Sequence, residues 1–207
     1  NLLSEGIDRN PDSELTVANY LGVLVETQRY QQALALKFLV NRFPDNANIA
    51  NNLGNALIYT RQYQEGVDFL ENAIKMHPER IDLEYHLGIA FRGLRDYVKA
   101  KTQFRRVVDE DSTYSFACGY LIEALHHLCD WQDRLMHEKL SDLIAMDPAL
   151  IDPFTAMSVS SDAAFELRVS KNYSKNLFPP SSSPLCSVCD YGHDRIRVAY
   201  LSADYHE

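Results

Sequence analysis

At 207 residues, with 46% hydrophobic and 24% charged, the chain can bury the core of one large domain or of a domain and a half. Its 20 Lys and Arg against 29 Asp and Glu leave a formal charge of −9, which excludes phosphate-backbone binding as a main role because that rests on clustered cations. No apolar run approaches the roughly 20 residues that span a bilayer and no basic–apolar–small signal segment opens the chain, so neither nucleic acid nor membrane is an expected partner.

In chain order, Leu2 and Leu3 fall inside the second helix of a unit whose first helix lies upstream, so residues 1–10 read as the end of a truncated repeat. Three proline turns follow, Asn10-Pro11-Asp12, Phe43-Pro44-Asp45 and His77-Pro78-Glu79, spaced 33 and 34 residues apart. That is the period of a tetratricopeptide repeat, about 34 residues of helix–turn–helix. Leu53-Gly54, Tyr63, Gly66 and Ala73 of one unit return as Leu87-Gly88, Tyr97, Ala100 and Val107 in the next. The first unit offers Leu21, Leu24, Tyr30, Ala33 and Val40, but its Leu21-Gly22 pair lies one residue out of phase and the unit is one residue short. The small residues let the two helices of a unit, A and B, approach closely. The Tyr fills the gap between units, and Pro stops helix B because it has no N–H to extend the ladder.

Residues 11–112 therefore read as three repeats. Residues 113–148 read as a degenerate fourth, with Leu121, Leu125 and Trp131 in the apolar places and Arg134 where a small residue belongs, so that its second helix must pack differently. Residues 149–174 carry a helical transition segment and 175–194 a Pro/Ser-rich loop. In residues 195–207, Ile196, Val198 and Tyr200 form a short apolar run before Ser202, Ala203 and Asp204, as in a buried strand and its C-terminal loop. Ligands of open α/β sheets bind at such loops, so Ser202, Asp204 and His206 mark the start of an active-site loop. The expected architecture is all-α, a right-handed tetratricopeptide superhelix ending in one strand of a truncated α/β domain.

Stacked units turn their A helices inward. The sixth A-helix positions are Asn19, Asn52 and His86, with Asn48, Asn51 and Asn55 on the same side of the second unit and Tyr85 beside His86. An Asn amide both donates and accepts, so a column of them can hold an extended peptide by its backbone. A clamp for a C-terminal carboxylate would need Lys or Arg on that face, and the equivalent places hold Ala18, Gly22, Asp82 and His86. Protein or peptide partners along the concave face are expected, and a homo-oligomer is compatible with this.

Three further segments, Leu128-Cys129-Asp130-Trp131, Asp152-Pro153-Phe154-Thr155-Ala156-Met157 and Arg195-Ile196-Arg197-Val198-Ala199-Tyr200-Leu201-Ser202-Ala203-Asp204-Tyr205, follow in that order. Together with the repeats they resemble the O-linked N-acetylglucosamine transferase family, and the His-Glu after Tyr205 is more like its bacterial members. The resemblance implies that the full-length protein moves N-acetylglucosamine from UDP-GlcNAc to Ser or Thr hydroxyls, with the repeats recruiting substrates. It also implies that the family's histidine, four residues after the loop Asp, lies past Glu207. His206 is then not that residue, and neither a catalytic residue nor a cofactor is expected within this chain. The alternative is a stand-alone interaction scaffold.

Cys118, Cys129, Cys186 and Cys189 are too few and too unevenly placed for a disulfide framework, which fits a reducing, cytoplasmic setting. Cys186, Cys189 and His193 have zinc-like spacing but no fourth ligand, so no metal is expected. Adjacent His126 and His127 cannot share one face of a helix. Ser202, Asp204 and His206 lie on one loop and cannot form a relay triad.

Overall fold

The computed structural model describes residues 13–177, apart from Ser115 and Asp133. Among them every regular element is helical: α1 Glu14–Glu26, α2 Tyr30–Leu34 with a 3-10 turn at Lys37–Arg42, α3 Ala47–Tyr59, α4 Tyr63–Met76, α5 Ile81–Gly93, α6 Tyr97–Glu110, α7 Ala117–His127, α8 Arg134–Met146, a 3-10 turn at Pro148–Leu150, α9 Pro153–Val159 and α10 Ala163–Leu177. Of the loop expected over 175–194, residues 175–177 belong instead to α10; the rest of it, the expected opening fragment, the Cys186, Cys189 and His193 group, and the strand with Ser202, Asp204 and His206 lie outside the described residues.

Four helices begin where the sequence supplies a side-chain acceptor. Ser13, Asn46, Asp96 and Asp152 each accept a backbone N–H of the first turn of α1, α3, α6 and α9. The A helices α1, α3, α5 and α7 also end alike. Gln28, Arg61, Arg95 and Cys129 take left-handed φ angles of 58°, 62°, 61° and 49°. The next N–H reaches back to Leu24, Leu57, Phe91 and Leu125 carbonyls at 2.7–3.0 Å, the bond of a Schellman ending. These turns recur at the repeat period although glycine occupies none of them. Cys129 of the Cys-Asp-Trp step is thus the turn residue of the fourth unit, and the Asp130 carboxylate holds Lys101 Nζ at 2.8 Å.

The repeat landmarks have physical partners. A Cβ on Gly54 would meet Leu70 Cδ2 at 2.4 Å, and one on Gly88 would meet Phe104 Cε1 at 2.7 Å, so only glycine admits helix B there. Tyr30 stacks on Tyr59 with centroids 4.8 Å apart, Tyr97 stacks on His127 at 3.9 Å, and Tyr63 lies against Gly93, where an added Cβ would sit 2.5 Å from the ring. Each tyrosine therefore closes the end of the next unit's A helix. Trp131, fourth in the series, precedes its helix by three residues, is 60% exposed, and lies between the rings of His126 and His137.

The first unit departs from the pattern. Its B segment is not one helix but the short α2 followed by a 3-10 turn. A 3-10 turn rises about 2.0 Å per residue against about 1.5 Å in an α-helix, so the tighter coil covers more length in a unit that is one residue short. Burial follows the same division. Val17, Leu21, Leu24, Ala33, Ile49 and Leu53 form one cluster, and the later units with α9 and α10 share a second built around Leu70, Phe104, Leu121 and Ile151.

Candidate functional site

The A helices line two grooves on the inner face. The first, of about 430 Å³, lies between α1 and α3 and is polar, with Asn19, Asn48, Asn51 and Asn52 beside Gly22 and Glu26. Gly22 faces this groove, since a Cβ there would meet only Asn52 Nδ2 at 3.6 Å. That explains its phase: it serves the inner surface and not the A–B contact. Much of the hydrogen-bonding capacity is already engaged. Asn48 Oδ1 accepts from Arg80 Nη2 at 3.0 Å, Asn52 Nδ2 donates to the Ala18 carbonyl at 3.4 Å, and Asn51 Oδ1 accepts from His86 Nδ1 at 2.7 Å.

The second groove holds about 920 Å³. One wall comes from Tyr59, Arg61 and Tyr63 around the α3–α4 turn, the floor from Tyr85, His86, Ile89 and Arg92 of α5, and the far side from Tyr120, Glu123 and His127 of α7. Tyr114 and Phe116 flank the start of α7, while Asp152 and Phe154 at α9 and Tyr173 and Leu177 of α10 fold back to bound the end. Six of the chain's twelve tyrosines line this one groove, which makes it an aromatic site and not a generic polar one.

Sequence reasoning expects a single column of Asn19, Asn48, Asn52, Asn55, Tyr85 and His86. The structure divides that set. Asn19, Asn48 and Asn52 share the polar groove; Tyr85 and His86 belong to the aromatic one; Asn55 lines neither, and its Oδ1 is buried without a partner. The division follows the helices: α1 and α3 bound the polar groove, while Tyr85 and His86 lie on α5, the floor of the aromatic one. Tyr85 and His86 are also buried, at 7% and 9% exposure, so they support the groove more than they reach into it. The inner face holds cations after all, at Arg61 and Arg92, off the positions where a carboxylate clamp was sought.

Burial sets the protonation states. His86 is pushed down to about 4, because losing water penalises the imidazolium more than nearby Asp82 favours it. The ring is neutral and donates from Nδ1 to Asn51. Burial pushes the Tyr114 hydroxyl up to about 12 and raises that of Tyr120, so both phenols remain neutral hydrogen-bonding groups. Arg92 Nε meets Glu123 Oε2 at 2.7 Å, and its guanidinium lies 4.7 Å from the centre of the Tyr120 ring. Asp152 spends its carboxylate on the N–H groups of Phe154 and Thr155 and on the Thr155 hydroxyl.

Tyr59, Arg61, Arg92, Phe116, Tyr120 and Tyr173 were not singled out by the sequence. The 11% aromatic content was the only signal, and it does not say which rings converge. Among the described residues no three His, Cys, Asp or Glu side chains gather as metal ligands, and no helix is long and apolar enough to cross a membrane.

A stack of helix pairs with a concave inner surface defines a class, and comparison with solved structures places the chain in it. MamA, from residue 41 to its end, of Desulfovibrio magneticus RS-1 superposes with a TM-score of 0.61 and 18% identity over 70% of this chain and 83% of that one. Pseudomonas aeruginosa PilF gives 0.61 and 18% over 86% and 82%. YrrB, described as a TPR protein with an unusual peptide-binding site, gives 0.53 and 19% over 83% and 98%. No family model and no curated protein matches the sequence. At these identities the likeness defines the fold, and that fold is the tetratricopeptide-repeat superhelix.

Proposed function

We propose that this chain is a protein-interaction module that holds an extended segment of a partner along its concave face. The observation that carries this is the pair of adjoining grooves on the A-helix side, one amide-lined and one aromatic, joined through the Asn51–His86 bond. The peptide-binding description of the structurally similar YrrB supports it. Amides in the first groove meet peptide backbone, and rings in the second supply apolar area, a combination suited to an extended chain. A peptide array probed with wild-type protein and with the double variant Asn19→Ala/Asn52→Ala tests the reading. Retained peptides whose signal falls at least threefold in the variant are expected. An array that retains nothing sinks the proposal.

A narrower reading is favoured by the resemblance carried by Cys129-Asp130-Trp131, the 152–157 segment and the Arg195–Tyr205 run. In that reading the module is the substrate-recruiting arm of an O-GlcNAc-transferase-like enzyme. Incubating the natural full-length protein with labelled UDP-GlcNAc and acceptor proteins tests it. Label on Ser or Thr is expected, and no incorporation into any acceptor leaves only the scaffold.

A further inference from the structure

We infer that the aromatic groove takes an extended peptide in which an aromatic side chain stands next to acidic ones, the ring entering among Tyr59, Phe116 and Tyr120 and a carboxylate meeting Arg61. This deepens the concave-face reading and rests on it.

Two observations converge. The first is the state of the charges. Of the anions that line the groove, Glu123 is paired with Arg92, and Asp152, still charged, accepts the hydrogen bonds that start α9. His127 lies flat on Tyr97, with Glu123 3.9 Å away. Arg61 lines the same groove and makes no ion pair with any described residue. Arg61 is therefore the one arginine of the lining without a direct ion pair, while Asp152 keeps its charge at the start of α9, so the anion that meets Arg61 at contact distance is the guest's. The chain as a whole carries −9, a field that would draw cationic peptides. That field is screened over about 8 Å at physiological ionic strength, so close contact with Arg61 decides the local preference. Selection of an acidic peptide would run against the bulk charge and so would report this site.

The second is the state of the rings. Tyr85 meets Tyr114 edge-to-face with centroids 5.2 Å apart at 67°, Phe104 lies 5.3 Å from Tyr120, and Phe116 lies 6.1 Å from Tyr173. These are the offsets that aromatic quadrupoles favour, and a guest ring extends such an array. Uncovered ring surface is available at the rim, where Tyr59 is 62% and Phe154 80% exposed. A space of about 920 Å³ lies near the top of the ~300–1,000 Å³ range of ligand pockets, enough for a ring together with its neighbours.

Fluorescence anisotropy of the 207-residue chain with four rhodamine-labelled pentapeptides tests this: Gly-Glu-Phe-Glu-Gly, Gly-Lys-Phe-Lys-Gly, Gly-Glu-Ser-Glu-Gly and Gly-Glu-Pro-Glu-Gly. The first is expected to bind at least tenfold more tightly than each of the others. Arg61→Glu should weaken it at least tenfold and strengthen the lysine probe, while Tyr59→Ser should weaken both Phe-bearing probes. Both side chains are exposed, and circular dichroism checks that the variants fold. Equal binding of the Glu and Lys probes, a Pro or Ser probe binding as well as the Phe probe, or a ranking unchanged by Arg61→Glu overturns the inference. If array peptides still bind in a manner sensitive to Asn19→Ala/Asn52→Ala, the concave-face reading survives that failure. If no peptide binds at all, both fall.

Discussion

His86 shows how one side chain couples groove to stability. Its position on the inner face was legible from repeat register, but its neutrality follows from burial, and the Asn51 side-chain carbonyl 2.7 Å from Nδ1 fixes which nitrogen carries the proton. Burial lowers its pKa to about 4 from the ordinary 6.5, so the unfolded chain takes up a proton first on acidification. The stability this residue contributes is present above pH 6.5 and is lost as pH falls from 6.5 towards 4. A tenfold difference in proton affinity between folded and unfolded chain corresponds to about 1.4 kcal/mol, which sets the loss at roughly 2–4 kcal/mol. Urea midpoints at pH 7 and pH 4.5 should show that loss in wild type and a smaller one in His86→Gln. Glu84 works in the opposite sense. It is 3% exposed; Arg106 Nη1 stands 2.7 Å from Oε1, but neither oxygen has a partner at hydrogen-bonding angles. Burial raises its pKa above the ordinary 4.5 despite Arg106, so ionisation costs stability as pH rises. Between pH 4.5 and 7 the stability difference should move in favour of Glu84→Gln, measured by the same midpoints.

Among the helices, glycines separate packing from surface. Alanine in place of glycine inside a helix ordinarily gains up to about 1 kcal/mol. Gly22→Ala, which would touch only Asn52, should therefore raise the thermal midpoint. Gly88→Ala would drive a methyl against the buried Phe104 ring and should lower stability by about 1–3 kcal/mol. A Gly22→Ala variant that destabilises as much as Gly88→Ala would contradict the placement of these residues. The repeat was readable because each landmark recurs with a local cause: proline ends, glycine crossings and tyrosine plugs. The expectation that the fourth unit's second helix packs differently rested on Arg134. In the structure α8 begins at Arg134 itself, leaving Trp131 outside the helix. What the residues did not reveal was the split of the first unit's B segment into α2 and a 3-10 turn. A one-residue shortfall can be absorbed by several backbone conformations, and only packing against α3 selects one.

For the whole molecule, stacked units contact mainly their neighbours, so stability is close to a sum of local terms. Burial here divides between the cluster around Leu21 and the larger one around Phe104. Leu21→Ala, at a fully buried position, should cost about 2–5 kcal/mol. Trp131 is the chain's only tryptophan and lies beside α7 and α8, so its fluorescence reports the later units. In Leu21→Ala the far-UV circular dichroism should begin to fall at lower urea than the Trp131 signal; coincident curves would show one cooperative unit instead. The repeat, its period and the inward placement of Asn19, Asn52 and His86 were determined by the sequence, because each depends on contacts within a unit or on spacing along one helix. The aromatic groove was decided only by the tertiary structure. Its rings come from α3, α4, α5, the segment before α7, α7, α9 and α10, and no single stretch of sequence brings Tyr59, Tyr120 and Tyr173 together. The charge that Arg61 presents there depends on which anions are already engaged, and those pairings exist only once the helices have stacked.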